Sequence, residues 1–85
     1  MSAQLTLPLA RPRLKRQAEL ALNLLQARGS LGLSPREAEE LGGIGRLAAR
    51  VDELRTAYGE GAVMTRLEAN GNGGRHARYY WRVGP

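Results

Sequence analysis

Apolar positions change their period along this chain, and the change divides it. From Arg13 to Arg28 the run RLKRQAELALNLLQAR puts Leu14, Ala18, Ala21, Leu22 and Leu25 on one helical face. Pro12 suits a first helical turn and Gly29 suits a stop. Leu20, Leu24 and Ala27 widen the face beyond a narrow stripe, which means burial on two sides or a dimer contact. Gly29 to Leu33, GSLGL, is short enough for one brief edge strand. SPRE then gives Ser34 as N-cap, Pro35 at the first helical position and Glu37 three residues after the cap, a capping box. It starts a short helix in which Ala38 and Leu41 point inward and which Gly42 ends. Another helix starts near Gly45. Leu47, Ala48, Val51, Leu54 and Tyr58 share its apolar face, while Arg46, Ala49, Arg50 and Glu53 lie opposite, and Gly59 and Gly61 close it.

Beyond Gly61 the period falls to two. Val63, Thr65, Leu67 and Ala69 alternate with Met64, Arg66 and Glu68; Ala77, Tyr79, Trp81 and Val83 alternate with His76, Arg78, Tyr80 and Arg82. The glycine-rich NGNGG, Asn70 to Gly74, lies between them. The pattern predicts a β-hairpin over 62–83 with one apolar face and one face of basic and aromatic side chains. Residues 1–10, MSAQLTLPLA, carry no charge and read as an extended tail, so the expected division is a tail at 1–10 and one domain at 11–85.

The predicted order is helix, brief strand, short helix, tight turn, helix, hairpin. It places the chain in the α+β class, as a winged helix-turn-helix of three helices plus a C-terminal β-hairpin wing. Its 85 residues leave room for one small core. The formal charge of +5 favours anionic partners, nucleic acid first. The excess sits at the ends. Residues 1–34 net +4, with five cations against Glu19; residues 35–58 net −1, and residues 59–85 net +2.

Several chemistries find no support. Cysteine is absent and His76 is the lone histidine, so neither a disulfide framework nor a metal site is expected. No apolar run approaches the ~18 residues a membrane span needs. The basic residues follow the short leucine-containing segment, the reverse of a signal peptide. Glu39 and Glu40 are adjacent and diverge on a helix, Glu37 is explained by the cap, and GNGG has no helix after it. Neither enzymatic activity nor a cofactor nor a small-molecule substrate is expected, and the expected location is bacterial cytoplasm, at the nucleoid.

The stretch LGGIGRLAARVDELRTAYG followed by RYYWRV resembles the small winged helix-turn-helix proteins of bacteriophages and prophages. The second helix of their motif carries a RLAARI-x-[DE]-LR run, matched here by Arg46 to Arg55 with Val51 in the isoleucine place. The resemblance spans roughly Gln17 to Val83, and its diagnostic part is short. It implies DNA binding and transcription regulation. This chain departs from the pattern in lacking a serine or threonine to cap the recognition helix, with Gly45 in that position.

On this reading the helix from Gly45 to Tyr58 enters the major groove, presenting Arg46, Ala49, Arg50 and Glu53, where an arginine can pair bidentately with guanine. Arg46 and Arg50 can instead pair with Glu53, which lies three residues from Arg50. Arg36 would lie near a phosphate. The wing would bring Arg66, Arg75, His76, Arg78 and Arg82 to the backbone or minor groove, and Tyr80 could stack on a base or sugar. Tyr79 and Trp81 are expected in the core. Arg11, Arg13, Lys15 and Arg16 would add phosphate contacts. The expected partner is double-stranded DNA, and a symmetric homodimer on a palindromic site would enlarge the small surface of one domain.

The tail supports a rival class. QLTLPL resembles the hexapeptide by which bacterial proteins dock on the replicative sliding clamp, with Gln4, Leu5, Leu7 and Leu9 in the recognised places. An adaptor that docks on host replication or transcription machinery is therefore the alternative function. Leu5, Leu7 and Leu9 could equally fold back on the first helix.

Overall fold

The computed structural model describes residues 14–83. The tail residues Gln4, Leu5, Leu7 and Leu9, with Arg11 and Arg13, lie outside that range. The chain is α+β: three helices, α1 (Arg16–Arg28), α2 (Pro35–Gly42) and α3 (Leu47–Tyr58), precede the antiparallel strands β1 (Val63–Ala69) and β2 (Arg75–Trp81). None of these helices is long and apolar enough to cross a membrane.

Helix α1 begins three residues later than its apolar period suggests, after Lys15 in extended conformation, and ends at Gly29 with φ +53°. Ala18, Ala21, Leu22 and Leu25 are buried as expected, with Leu14, Leu20 and Leu24 resting on the rim of the core. Ala27 is exposed, so the widened face is only partly covered. The expected edge strand shrinks to one bridge. Gly29–Leu31 forms a 3-10 turn, and Leu33 alone exchanges both backbone bonds with Tyr79, at 2.8 and 2.9 Å. Gly32 makes that close approach possible. Its φ is +71°, and a Cβ there would stand 2.6 Å from the ring of Tyr80.

The capping box forms in full: the Glu37 amide donates to Ser34 Oγ at 3.2 Å and the Ser34 amide donates to Glu37 Oε1 at 3.0 Å. Ala38 is buried, but Leu41 is not, at 55% exposure. Ala38 and Gly42, four apart, form the inward edge of this short helix, and a Cβ on Gly42 would meet Leu24 of α1 at 2.9 Å. Gly42 therefore allows α2 to approach α1 closely. Gly42 closes α2 from within, and Gly43 adopts the left-handed turn after it. Ile44, beyond the turn, is fully buried and joins the core in place of Leu41.

Burying Ile44 delays α3. The helix starts at Leu47, and its N-cap is Arg46 in the left-handed conformation, φ 53° and ψ 56°, not Gly45. Arg46 is the only non-glycine among the described residues with positive φ. Leu47, Val51 and Leu54 are buried and Tyr58 packs edge-on against Trp81, centroids 5.2 Å apart, whereas Ala48 is exposed.

The hairpin keeps the expected alternation, with Val63 opposite Trp81, Thr65 opposite Tyr79 and Leu67 opposite Ala77. Its apolar face reaches the core from the base as far as Ala77. Val63 and Tyr79 are buried and Trp81 is half-buried, while Leu67 is 62% exposed and Val83, past the end of β2, is also exposed. The hairpin past Ala77 and Leu67 therefore extends beyond the apolar core.

These assignments of Leu41 and Ile44 separate by mutation. Ile44→Ala is expected to cost about 2–5 kcal/mol of stability, as for a large-to-small change in a core. Leu41→Ala should stay within about 0.5 kcal/mol, as at an exposed site. Urea unfolding of both variants checks this, and equal losses would contradict the exchanged roles.

Candidate nucleic-acid interface

The described arginines fall into two populations, separated by whether a carboxylate or carbonyl holds them. Arg50 belongs to the held group. It stands at the edge of the buried stripe of α3, immediately before Val51, and its Nε lies 3.0 Å from Glu53 Oε1 while Nη2 donates to Oε2 at 3.0 Å. Both side chains are largely covered, 22% and 34% exposed. Nε and Oε1 are buried and meet as charges without a well-directed hydrogen bond. The expected four-residue flank of α3 is thus altered: Arg46 protrudes, Ala49 is half-buried, and Arg50 and Glu53 neutralise each other. The exposed row on this helix is Ala48, Asp52 and Thr56. Arg55 is held too, donating to the Val63 carbonyl and to Thr65 Oγ1, each at 2.9 Å.

Arg78 departs furthest from expectation. It is not an open wing cation but a strut, only 17% exposed. Its Nη1 donates to Glu37 Oε1 at 2.8 Å and to the Leu31 carbonyl at 3.0 Å, and its Nε donates to Glu68 Oε2 at 2.8 Å. Glu37 also receives Arg28 Nη2 at 2.9 Å, and Arg28 Nε donates to the Gly32 carbonyl at 2.7 Å. His76 extends the chain of contacts, with Nε2 3.1 Å from Glu68 Oε1 and Nδ1 against Asn70 Oδ1 at the tip. His76 is therefore engaged within the wing rather than open to a ligand. The end of α1, the start of α2, both strands and the tip are joined by one run of polar contacts.

The electrostatics follow. Partial burial alone would raise the Glu37 carboxyl, but hydrogen bonds from Arg78 and the Ser34 amide, with the charges of Arg78 and Arg28, hold it at about 2. The hydrogen bond from Arg78 lowers Glu68 as well, and the same two carboxylates raise Arg78.

A second population is open. Lys15, Arg16, Arg46, Arg66, Arg75 and Arg82 are exposed, and among the described residues none has a carboxylate within ion-pair distance. Arg36 is open in a weaker sense, 87% exposed and paired across the surface with Glu40 at 3.2 Å. An exposed pair of this kind holds its partner only loosely.

Two relations place these groups. Tyr58 meets Trp81, the cross-strand partner of Val63, and one turn earlier Arg55 reaches Val63 and Thr65. The C-terminal end of α3 therefore lies against the base of the hairpin. At the other end of the hairpin a polar groove of about 580 Å³ separates the start of α2 from the tip, lined by Ser34, Arg36, Asn70, Asn72, His76 and Arg78 among others. Arg66, the cross-strand partner of Arg78, and Arg82 lie on the hairpin face that carries Arg78 and His76, opposite the face that Trp81 turns to Tyr58, and the Arg66 guanidinium sits 5.6 Å from the centre of the Tyr80 ring. Half-buried Tyr80, between Gly32 and Arg66, is already occupied on that face.

Sequence reasoning missed Glu37, Glu68 and Arg28 as site-building residues. The box spacing explained Glu37 locally and hid its second role, and nothing local links it to Arg78, 41 residues away. The facing of Glu68 and His76 follows from the hairpin register and could have been found by aligning the strands about NGNGG. The chain matches no protein-family model, and no curated protein or solved structure matches it.

The depressed Glu37 carboxyl makes stability acid-sensitive. Its folded value of about 2 lies below the ordinary 4.5, so the contribution is complete above about 4.5 and is lost as pH falls toward 2. Melting temperatures of the wild type should fall across that window. Glu37→Gln should be less stable at neutral pH and should melt with a flatter acid dependence. Parallel acid profiles would show that Glu37 is not the group responsible.

Proposed function

We propose that the chain is a sequence-specific DNA-binding protein, a winged helix-turn-helix in which the N-terminal end of α3 enters the major groove. The hairpin acts as the wing. The observation that carries this reading is the set of exposed cations left without carboxylate partners in a chain of net charge +5, with Arg46 among them at the start of α3. Phosphate and base-edge acceptors would supply what the protein itself does not.

In this mechanism Arg46 is the base reader. The left-handed backbone at the N-cap sets its side chain before the first helical turn, and the two glycines that flank Ile44 permit the tight approach. A bidentate arginine–guanine contact contributes roughly 1–3 kcal/mol of discrimination. Arg36 and Arg75, near the groove and tip, follow the phosphates, as do Lys15 and Arg16. Arg50, neutralised by Glu53, serves α3 itself more than the duplex. The resemblance of Arg46–Arg55 to phage and prophage proteins favours a transcriptional regulator.

A second reading is the adaptor. What favours it is the apolar exposure at Leu31, Leu41 and Leu67, together with the uncharged hexapeptide of the tail. Fluorescence anisotropy with random duplex at low salt separates the two, because the adaptor needs no duplex affinity.

For a DNA-binding protein, log K should fall linearly with log salt, with a slope of about −0.9 per phosphate neutralised. Arg46→Ala should lose about tenfold or more in preference for a selected site over random duplex. Arg36→Ala should weaken both nearly equally. Absence of any duplex binding by the wild type ends the DNA reading, and unchanged preference in Arg46→Ala removes that residue from base contact.

A further inference from the structure

The hairpin meets the helices through different chemistry at its two ends. At the base Val63, Tyr79 and Trp81 pack on the core. Toward the tip that apolar support thins to Ala77, half-buried against the core, while its cross-strand partner Leu67 is exposed. The other bridge from hairpin to helices there is polar: Arg78 of β2, fixed to Glu68 across the strands and to Glu37 at the start of α2. A two-stranded ribbon is weakly stable by itself. The angle of its free half to α2 and α3 must come from such contacts.

We infer that Glu37 is a positioning residue for nucleic-acid binding, fixing the wing through Arg78 at the angle the duplex requires. The inference deepens the DNA-binding reading and rests on it. Geometry gives Glu37 this place. Its Oε1 receives the Ser34 amide, Arg28 and Arg78, so that the carboxylate joins the start of α2, the end of α1 and the middle of β2. Arg78 Nη2 adds a longer contact to Oε2 at 3.4 Å. Paired, fork-like guanidinium contacts are directional, whereas apolar packing is not. The network also holds two arginines against two carboxylates, so it contributes orientation without adding net charge to the surface.

The sign of one substitution distinguishes this role from plain electrostatics. Glu37→Gln removes a negative charge and leaves every cation in place. It also keeps a side chain compatible with the capping box, so α2 can still form. If the charge of Arg78 contacted the phosphates directly, freeing it should tighten binding. If Glu37 acts by positioning, binding should weaken by about tenfold, the loss expected for one charged hydrogen bond. Glu40→Gln on the same helix makes an equal change in charge outside the network. It should bind duplex as tightly as the wild type, or more tightly.

Wing position can be read without nucleic acid. The chain has no cysteine, so Glu39→Cys and Asn72→Cys in the full-length protein allow a spin-label pair across the groove. The distance distribution should be narrow with Glu37 and clearly broader with Glu37→Gln, while circular dichroism confirms that the variant is folded. Broadening together with weaker binding supports the inference. An unchanged distribution overturns it, and so does broadening with equal or tighter binding. If the wild type binds no duplex, the functional reading fails separately, and the spin-label distances still decide whether Glu37 holds the wing.

Discussion

One carboxylate, that of Glu37, is where the two halves of this molecule meet. It caps α2 through the Ser34 amide, receives Arg28 from the end of α1 and receives Arg78 from β2. The apolar core alone could not do this. Leu25, Leu33, Ile44, Leu47, Val51 and Leu54 fill the space among the helices and under the hairpin's base, but that burial fixes volume more than angle. The polar run from Arg28 to Asn70 extends the fixed region toward the tip. Because the carboxylates and guanidinium groups in it satisfy one another, their partial burial costs little.

The same arrangement sorts the arginines. A chain with thirteen lysines and arginines on a small surface would spread positive charge everywhere if each side chain were free. Here the acids are placed to withdraw particular arginines: Glu37 and Glu68 take Arg78, Glu37 takes Arg28, and Glu53 takes Arg50. The remaining cations are not spread evenly. Arg46 stands at the start of α3 and Arg75 beside the hairpin turn, while Arg66 and Arg82 share the hairpin face of the held Arg78. Overall basicity is consequently a poor guide to which residue meets a phosphate, since the pairing pattern decides it.

The turn before α3 shows a related economy of position. Ile44 is buried so deeply that the chain must reverse around it, and Gly43 and Arg46 both take left-handed conformations to do so. Glycine does this at no steric cost, whereas an arginine does not. The strained residue is also the exposed cation at the start of α3. Strain at such a place is expected where the surrounding packing dictates the backbone, and here Ile44 and Leu47 on either side are both buried.

Local rules alone determined a good deal. The Ser34–Glu37 box, the stop at Gly29, the period of α1 and α3 and the hairpin alternation about NGNGG all depend on neighbours within a few residues, and they fix the element order and the α+β class. Where two rules competed, packing chose. Leu41 and Ala48 carried the right apolar type but fell outside the final contact, and Ile44, in a turn with no period, entered the core instead. The fate of each arginine was beyond local rules altogether. Arg50, Arg78 and Arg82 look alike in the chain, yet one is neutralised on its own helix, one is locked to a residue 41 positions away, and one is open. Charge type is written in the sequence. Which charge is left unpaired depends on which carboxylates folding brings within about 3 Å of it, and only the tertiary structure decides that.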